Sequence, residues 1–171
     1  MRKLVALLVL LCLASAPCLA KPKGVVGCGT KVKAAAQPQL RLSLNHADRR
    51  YETGDQLVLT IVADRSCYLT ILDIGTSGKV SVLLPNEYSG DNRLQAGEAR
   101  RFPAPGRDGF QFTVTPPPGE ERLVVIATTR PRQITPADLK RYPSTNGRFT
   151  GSVIKGSGLQ WACAVAKFWI R

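Results

Sequence analysis

The sequence predicts an all-β fold: a two-sheet β-sandwich of about eight strands, immunoglobulin-like in topology, with one short helix in a connection. Three observations point there. Apolar and β-branched runs of five to eight residues recur along the chain, most clearly at 56–63, 67–73 and 79–84. Fifteen glycines and twelve prolines punctuate those runs. No window of the 56–84 region keeps the apolar repeat of an amphipathic helix.

The first twenty residues read as a signal peptide. Arg2 and Lys3 form a basic start, Leu4 to Ala16 is apolar and uncharged, and Ala20 closes a small-residue cleavage site. A cut after Ala16 would place Pro17 next, so the cut after Ala20 is preferred. The apolar run falls short of the ~20 residues a bilayer-crossing helix needs. Lipid attachment is not expected. Cys18 follows Pro17, and Lys21 and Lys23 separate Cys28 from the apolar run. The expectation is an exported protein, periplasmic or at the cell surface, with no transmembrane segment after cleavage.

Residues 21–38 read as a basic, flexible leader of small residues, and 39–171 as a single domain. Leu40, Leu42 and Leu44 alternate with polar residues, as in a half-buried edge strand. Gly54-Asp55 turns the chain into the central hairpin of 56–84, which Pro85-Asn86 stops. A turn-rich loop follows to Asn92, then short strands at 93–97 and 99–102 around Gly97. Phe110, Phe112 and Val114 alternate inward, and 122–129 is apolar on both faces, as in a covered central strand. Thr135, Pro136 and Asp138 carry a helix-start signature over 135–141. The final run, 159–170, mixes alanines with Trp161, Val165, Phe168, Trp169 and Ile170; it is assigned as a closing strand.

With the signal segment removed, 22 Lys+Arg face 12 Asp+Glu, a net charge of +10 (24 − 2 basic residues, no acid lost). That excess suits an anionic envelope polymer as partner as well as plain solubility. Nucleic acid is not expected, since no basic run exceeds two residues and no aromatic-basic stripe occurs. Cys28, Cys67 and Cys163 remain, allowing three pairings. Cys28–Cys163 is favoured because it would tie the ends of the mature chain together, while Cys67 opens a core strand as a buried thiol.

A set of short motifs adds to this reading. Tyr51-x-x-Gly54-Asp55-x-Leu57, the 68–73 strand, Gly78-Lys79-Val80, Leu84-Pro85-Asn86, Leu94-x-Ala96-Gly97 and Pro117-x-Gly119 occur in order. In these, over roughly residues 40–131, the chain resembles the bacterial family catalogued as domain of unknown function 4384. The resemblance implies an exported accessory domain with no assigned activity. Read as residues, the motifs are structural: glycines for turns, tyrosines whose hydroxyls anchor strand starts.

No catalytic constellation emerges, and no enzyme activity, cofactor or metal is expected. His46 is the single histidine, and a pair with Cys67 would lack an orienting third group. Zinc would need paired Cys or His ligands, which the spacing does not offer. Asn86, Glu87, Asp91 and Asn92 offer oxygens in one loop without calcium-loop spacing. The candidate binding surface is therefore the loop with Asn86, Glu87 and Tyr88, together with Arg49, Arg50, Arg100, Arg101, Arg130 and Arg132. The function expected is a non-catalytic interaction or accessory module of the cell envelope, with a protein partner. The alternative is a binder of anionic polymer or carbohydrate.

Overall fold

Strand-forming runs separated by turn residues can satisfy their backbone groups only by pairing, and here they pair into three sheets. The computed structural model describes residues 26–27, 38–104, 106–135 and 159–171. The signal segment at 1–20, most of the leader and the helix expected from Pro136 onward lie outside these. Among the described residues every regular element is a strand, and no helix is long and apolar enough to cross a membrane.

In chain order the strands are β1 (Val26–Gly27), β2 (Leu40–Leu44), β3 (Arg50–Tyr51), β4 (Gln56–Leu57), β5 (Leu59–Ala63) and β6 (Cys67–Ile74). Then come β7 (Val80–Leu84), β8 (Arg93–Leu94), β9 (Ala99–Phe102), β10 (Phe112–Thr113), β11 (Gly119–Thr128) and β12 (Trp161–Ile170). The largest sheet has the order β1-β12-β11-β6-β7, with β3 also on β12 and β8 also on β6. A second sheet runs β2-β5-β9, and β10 pairs β4. All pairings are antiparallel except β3 with β12, which is parallel.

Period-two alternation decides the core. Leu59, Ile61 and Ala63 of β5 are buried while Thr60 and Val62 between them are half-exposed. They share one apolar cluster with Leu69 and Ile71 of β6, Leu123 and Val125 of β11, and Phe168 and Ile170 of β12. The opposite faces of β6, β11 and β12 carry a second cluster, with Leu72, Ile126, Val165 and Trp161, joined by Ile134. β11 is thus buried on both faces, as its uninterrupted apolar run requires.

Several elements differ from expectation. The 56–63 run is two strands broken at Val58, because the Val58 N–H turns to the Asn45 side-chain oxygen at 2.9 Å. Arg50–Tyr51 forms a strand of its own, and β11 begins three residues before Arg122, at Gly119. The expected inward row at 110–114 holds only in part: Val114 is buried and Phe112 packs on the core, but Phe110 stays outside it. Within the leader, Val26–Gly27 pairs with β12. The described residues hold twelve strands, several only two residues long, where eight or so were expected.

Two glycines set the hairpin at the end of the large sheet. Gly78 holds φ 77° in the β6–β7 turn, which the Gly75 N–H closes onto the Lys79 carbonyl at 3.0 Å. Gly119 holds φ 144°, and a Cβ there would lie 2.8 Å from the Thr76 methyl, so β11 starts against that turn with no room for a side chain.

Candidate functional site

β7 ends at Leu84, and Asn86 organises the loop that follows. Its side-chain amide donates to the Leu83 carbonyl at 2.9 Å. Its Oδ1 accepts from the Tyr88 N–H at 2.9 Å and the Ser89 N–H at 2.7 Å, and its own N–H reaches the Ser89 carbonyl at 3.1 Å. An asparagine that folds its side chain back on the next residues makes a stiff turn and projects what sits at the tip. Here the tip is Tyr88, 68% exposed.

Tyr88 does not stand alone. Its ring lies 6.4 Å from that of Phe110, which lies 5.3 Å from that of Phe112, both pairs tilted. Phe112 is held by β10 against Leu57 of β4 and packs on the core. The three rings therefore form a row running from half-buried Phe112 to exposed Tyr88, anchored at one end and open at the other. Tilted rings at these separations attract through their quadrupoles and hold one another in place.

A charged cluster fastens the far side of the same loop. Arg100 is 4% exposed and donates to the Arg93 and Asp91 carbonyls, with the Asp91 carboxylate at 3.5 Å. Its guanidinium lies 4.5 Å over the Phe102 ring. Arg107 holds the same carboxylate at 2.7 Å. Arg100 is therefore a buried strut, which corrects its expected place in a surface pair with Arg101. Of the residues considered for calcium, Asn86 Oδ1 and the Asp91 carboxylate are engaged as above, and Asn92 donates from its side chain to the Leu69 carbonyl while its own carbonyl accepts the Leu69 N–H, both at 2.8 Å.

The other basic candidates are dispersed. Arg50 is exposed on β3 opposite Trp169 of β12, itself 45% exposed, and the Arg49 carbonyl accepts the Trp169 N–H at 2.9 Å. Arg101 is exposed on β9, on the opposite face from Arg100. Arg130 is exposed beyond β11, and its carbonyl accepts from the Thr128 hydroxyl at 2.8 Å; Arg132 is half-buried nearby. Glu87 is exposed beside Tyr88.

The reactive residue types are committed to the fold. His46 stacks on Tyr51 with ring centres 4.3 Å apart, and its Nδ1 meets the Arg50 carbonyl at 2.8 Å. The Tyr51 hydroxyl accepts the His46 N–H at 3.3 Å and donates to Asn45 at 2.9 Å, the backbone anchoring expected of a strand-start tyrosine. Burial pushes the Cys67 thiol up to about 11, with the Asp64 charge adding, so it stays protonated and inert. Cys163 is disulfide-bonded and Cys67 is free.

One acid was not foreseen. Asp73 sits on the core-facing side of β6 opposite Leu123, and its Oδ1 is buried without a hydrogen-bond partner. Burial first, then the Glu121 carboxylate, push it up to about 7. Glu121, raised by its own burial, accepts the Thr76 N–H of the hairpin turn at 3.3 Å. The alternation Leu69, Ile71, Asp73 carried the signal in the sequence.

Fold and surface together define an all-β domain that displays an aromatic row on a stiffened loop. Residues 50–131, just under half of the chain, match the family model described as Domain of unknown function (DUF4384). The resemblance read from the motifs is thereby shown over that stretch, which holds the loop and its aromatic row but not β2 or β12. No curated protein and no solved structure matches the chain.

Proposed function

We propose that this chain is an exported, non-catalytic interaction module of the bacterial cell envelope, with a protein partner. The observation that carries the reading is the aromatic row of Tyr88, Phe110 and Phe112. A 68%-exposed tyrosine held by an asparagine turn and backed by two phenylalanines is costly to leave in water and suits a partner contact. In the same reading residues 1–20 are a removed signal peptide, 21–38 a leader and 39–171 one domain. That domain is a two-sheet, immunoglobulin-like sandwich, supported by the apolar cluster that β5 shares with β6, β11 and β12. Cys28 is the partner of Cys163; the antiparallel register Val26↔Val165, Gly27↔Ala164 supports this.

The test is a photo-crosslinking residue at position 88 in native cells, after fractionation. The expected result is periplasmic or surface recovery of a chain lacking residues 1–20, crosslinked to a discrete protein. Cytoplasmic retention, or turnover of a cell-wall substrate by the purified protein, would refute the proposal. A second reading, binding of an anionic envelope polymer or carbohydrate, is favoured by exposed Trp169 beside Arg50. Retention on peptidoglycan or lipopolysaccharide that salt abolishes, and that Trp169→Ala loses, would support it.

A further inference from the structure

The longer strands bordering the two large sheets are guarded unequally. β2 carries Arg41, and β9 carries Arg100 and Arg101. β7, whose residues are Val80, Ser81, Val82, Leu83 and Leu84, has neither charge nor proline. Charge and proline on a border strand are what discourage other chains from pairing with it, and here both are lacking.

Among the described residues the backbone along β7 is open as well. The Gly75–Lys79 bond closes the hairpin, so antiparallel alternation turns the N–H and C=O of Ser81 inward to Asp73. Those of Val80 and Val82 point away from the sheet, and no hydrogen bond takes them among the described residues. Past Val82 the register shifts, leaving Leu83 as a bulge whose carbonyl Asn86 occupies at 2.9 Å. The open edge is thus short: Val80 to Val82.

It leads toward the aromatic row. β9 and β2 take the two flanks of β5, and β10 pairs β4 just before it. Leu83 and Phe112 pack against the same core, and Tyr88 follows β7 by four residues. Asn86 fastens the Tyr88 turn to the Leu83 carbonyl, so the strand with the open edge runs directly into the loop that carries the tip of the row.

We propose that β7 takes up an extended peptide of a partner protein as an additional antiparallel strand, whose side chains run on over Tyr88, Phe110 and Phe112. This rests on the interaction-module reading above and names the kind of partner. Outward groups of Val80 and Val82 supply main-chain pairing, and the row supplies side-chain contact. Charge sets the partner's chemistry: an uncharged, alternating apolar centre facing Val80–Val82, and acidic flanks toward Lys79 at one end and Arg93 beyond the other, on a chain whose net charge is +10 without residues 1–20. A second copy of this chain fits less well. It would bring two strongly basic molecules together and align two bulged edges with only three regular residues each.

The test uses the purified oxidised protein and a nine-residue peptide of alternating valine and threonine with glutamate at both ends. Two analogues are N-methylated, one at its valines and one at its threonines. Saturating peptide is expected to slow amide exchange at Val80 and Val82 at least tenfold. One analogue should bind and the other fail, because only one set of N–H groups faces the protein. Val82→Pro, which removes an outward donor, should weaken binding at least tenfold, and Tyr88→Ala at least threefold, with both variants still unfolding cooperatively. Unchanged exchange at millimolar peptide overturns the proposal. So does slowing that tracks protein concentration without peptide, which assigns the edge to a second copy. A partner crosslinked at position 88 while the β7 amides stay unaffected would leave the interaction module standing and remove only the strand addition.

Discussion

Asp73 gives the sharpest quantitative test of the core. Its carboxyl is pushed up to about 7 from 3.8, so between those values the folded chain holds a proton that the unfolded chain releases. The folded state therefore pays nothing at that site below pH 4, loses stability progressively as pH rises from 4 to 7, and carries the full penalty above 7. Moving the carboxyl from 3.8 to about 7 has a ceiling of about 4 kcal/mol, and partial access to water reduces the expectation to about 2 kcal/mol. Asp73→Asn cannot ionise and resembles the protonated acid in shape. Its stability relative to wild type should therefore improve by about 2 kcal/mol between pH 4 and pH 8, or about 4–8 °C in Tm at this chain length. Urea and thermal unfolding of both proteins at the two pH values measure it. Glu121, Ser81 and Leu123 are common to both proteins, so the difference isolates the Asp73 charge. A gap that stays constant or narrows toward pH 8 would refute the assignment of a buried, repelled carboxylate.

Arg100→Met should cost about 3 kcal/mol in urea unfolding, because the carbonyls of Arg93 and Asp91 lose a charged donor. Gly119→Ala should lower stability by about 1–3 kcal/mol, from a φ of 144° and the Thr76 methyl 2.8 Å from the new Cβ; Thr76→Ser in the same chain should recover part of it. Reduction should cost the wild type about 2–5 kcal/mol and leave Cys163→Ser unchanged, with peptide mapping of the oxidised protein recovering Cys163 joined to Cys28.

Much of the sheet was legible because alternation is a local signal. Leu40, Leu42 and Leu44, and the buried set of β5, could be read residue by residue. β3 could not: its two residues pair with Trp169 and Ile170 far along the chain, and nothing near Arg50 announces it. Arg100 shows how side-chain type can mislead. The spacing to Phe102 puts both on one face, yet a basic pair reads as surface unless the acceptors at Arg93 and Asp91 are known. The aromatic row was legible only at Tyr88, since its contact with Phe110 depends on two loops meeting. The β7 edge needed the topology, because an uncharged strand in the sequence reads equally as a central one.

β12 pairs with three strands, β11 along its full length and then β1 and β3, while Phe168 and Ile170 fill the core. During synthesis the earlier strands must wait for it, since a chain halted before Trp161 offers them an unfilled slot. A chain cut before Trp161 should therefore leave the apolar faces of β11 without their partner strand and be digested faster by added protease than the full chain.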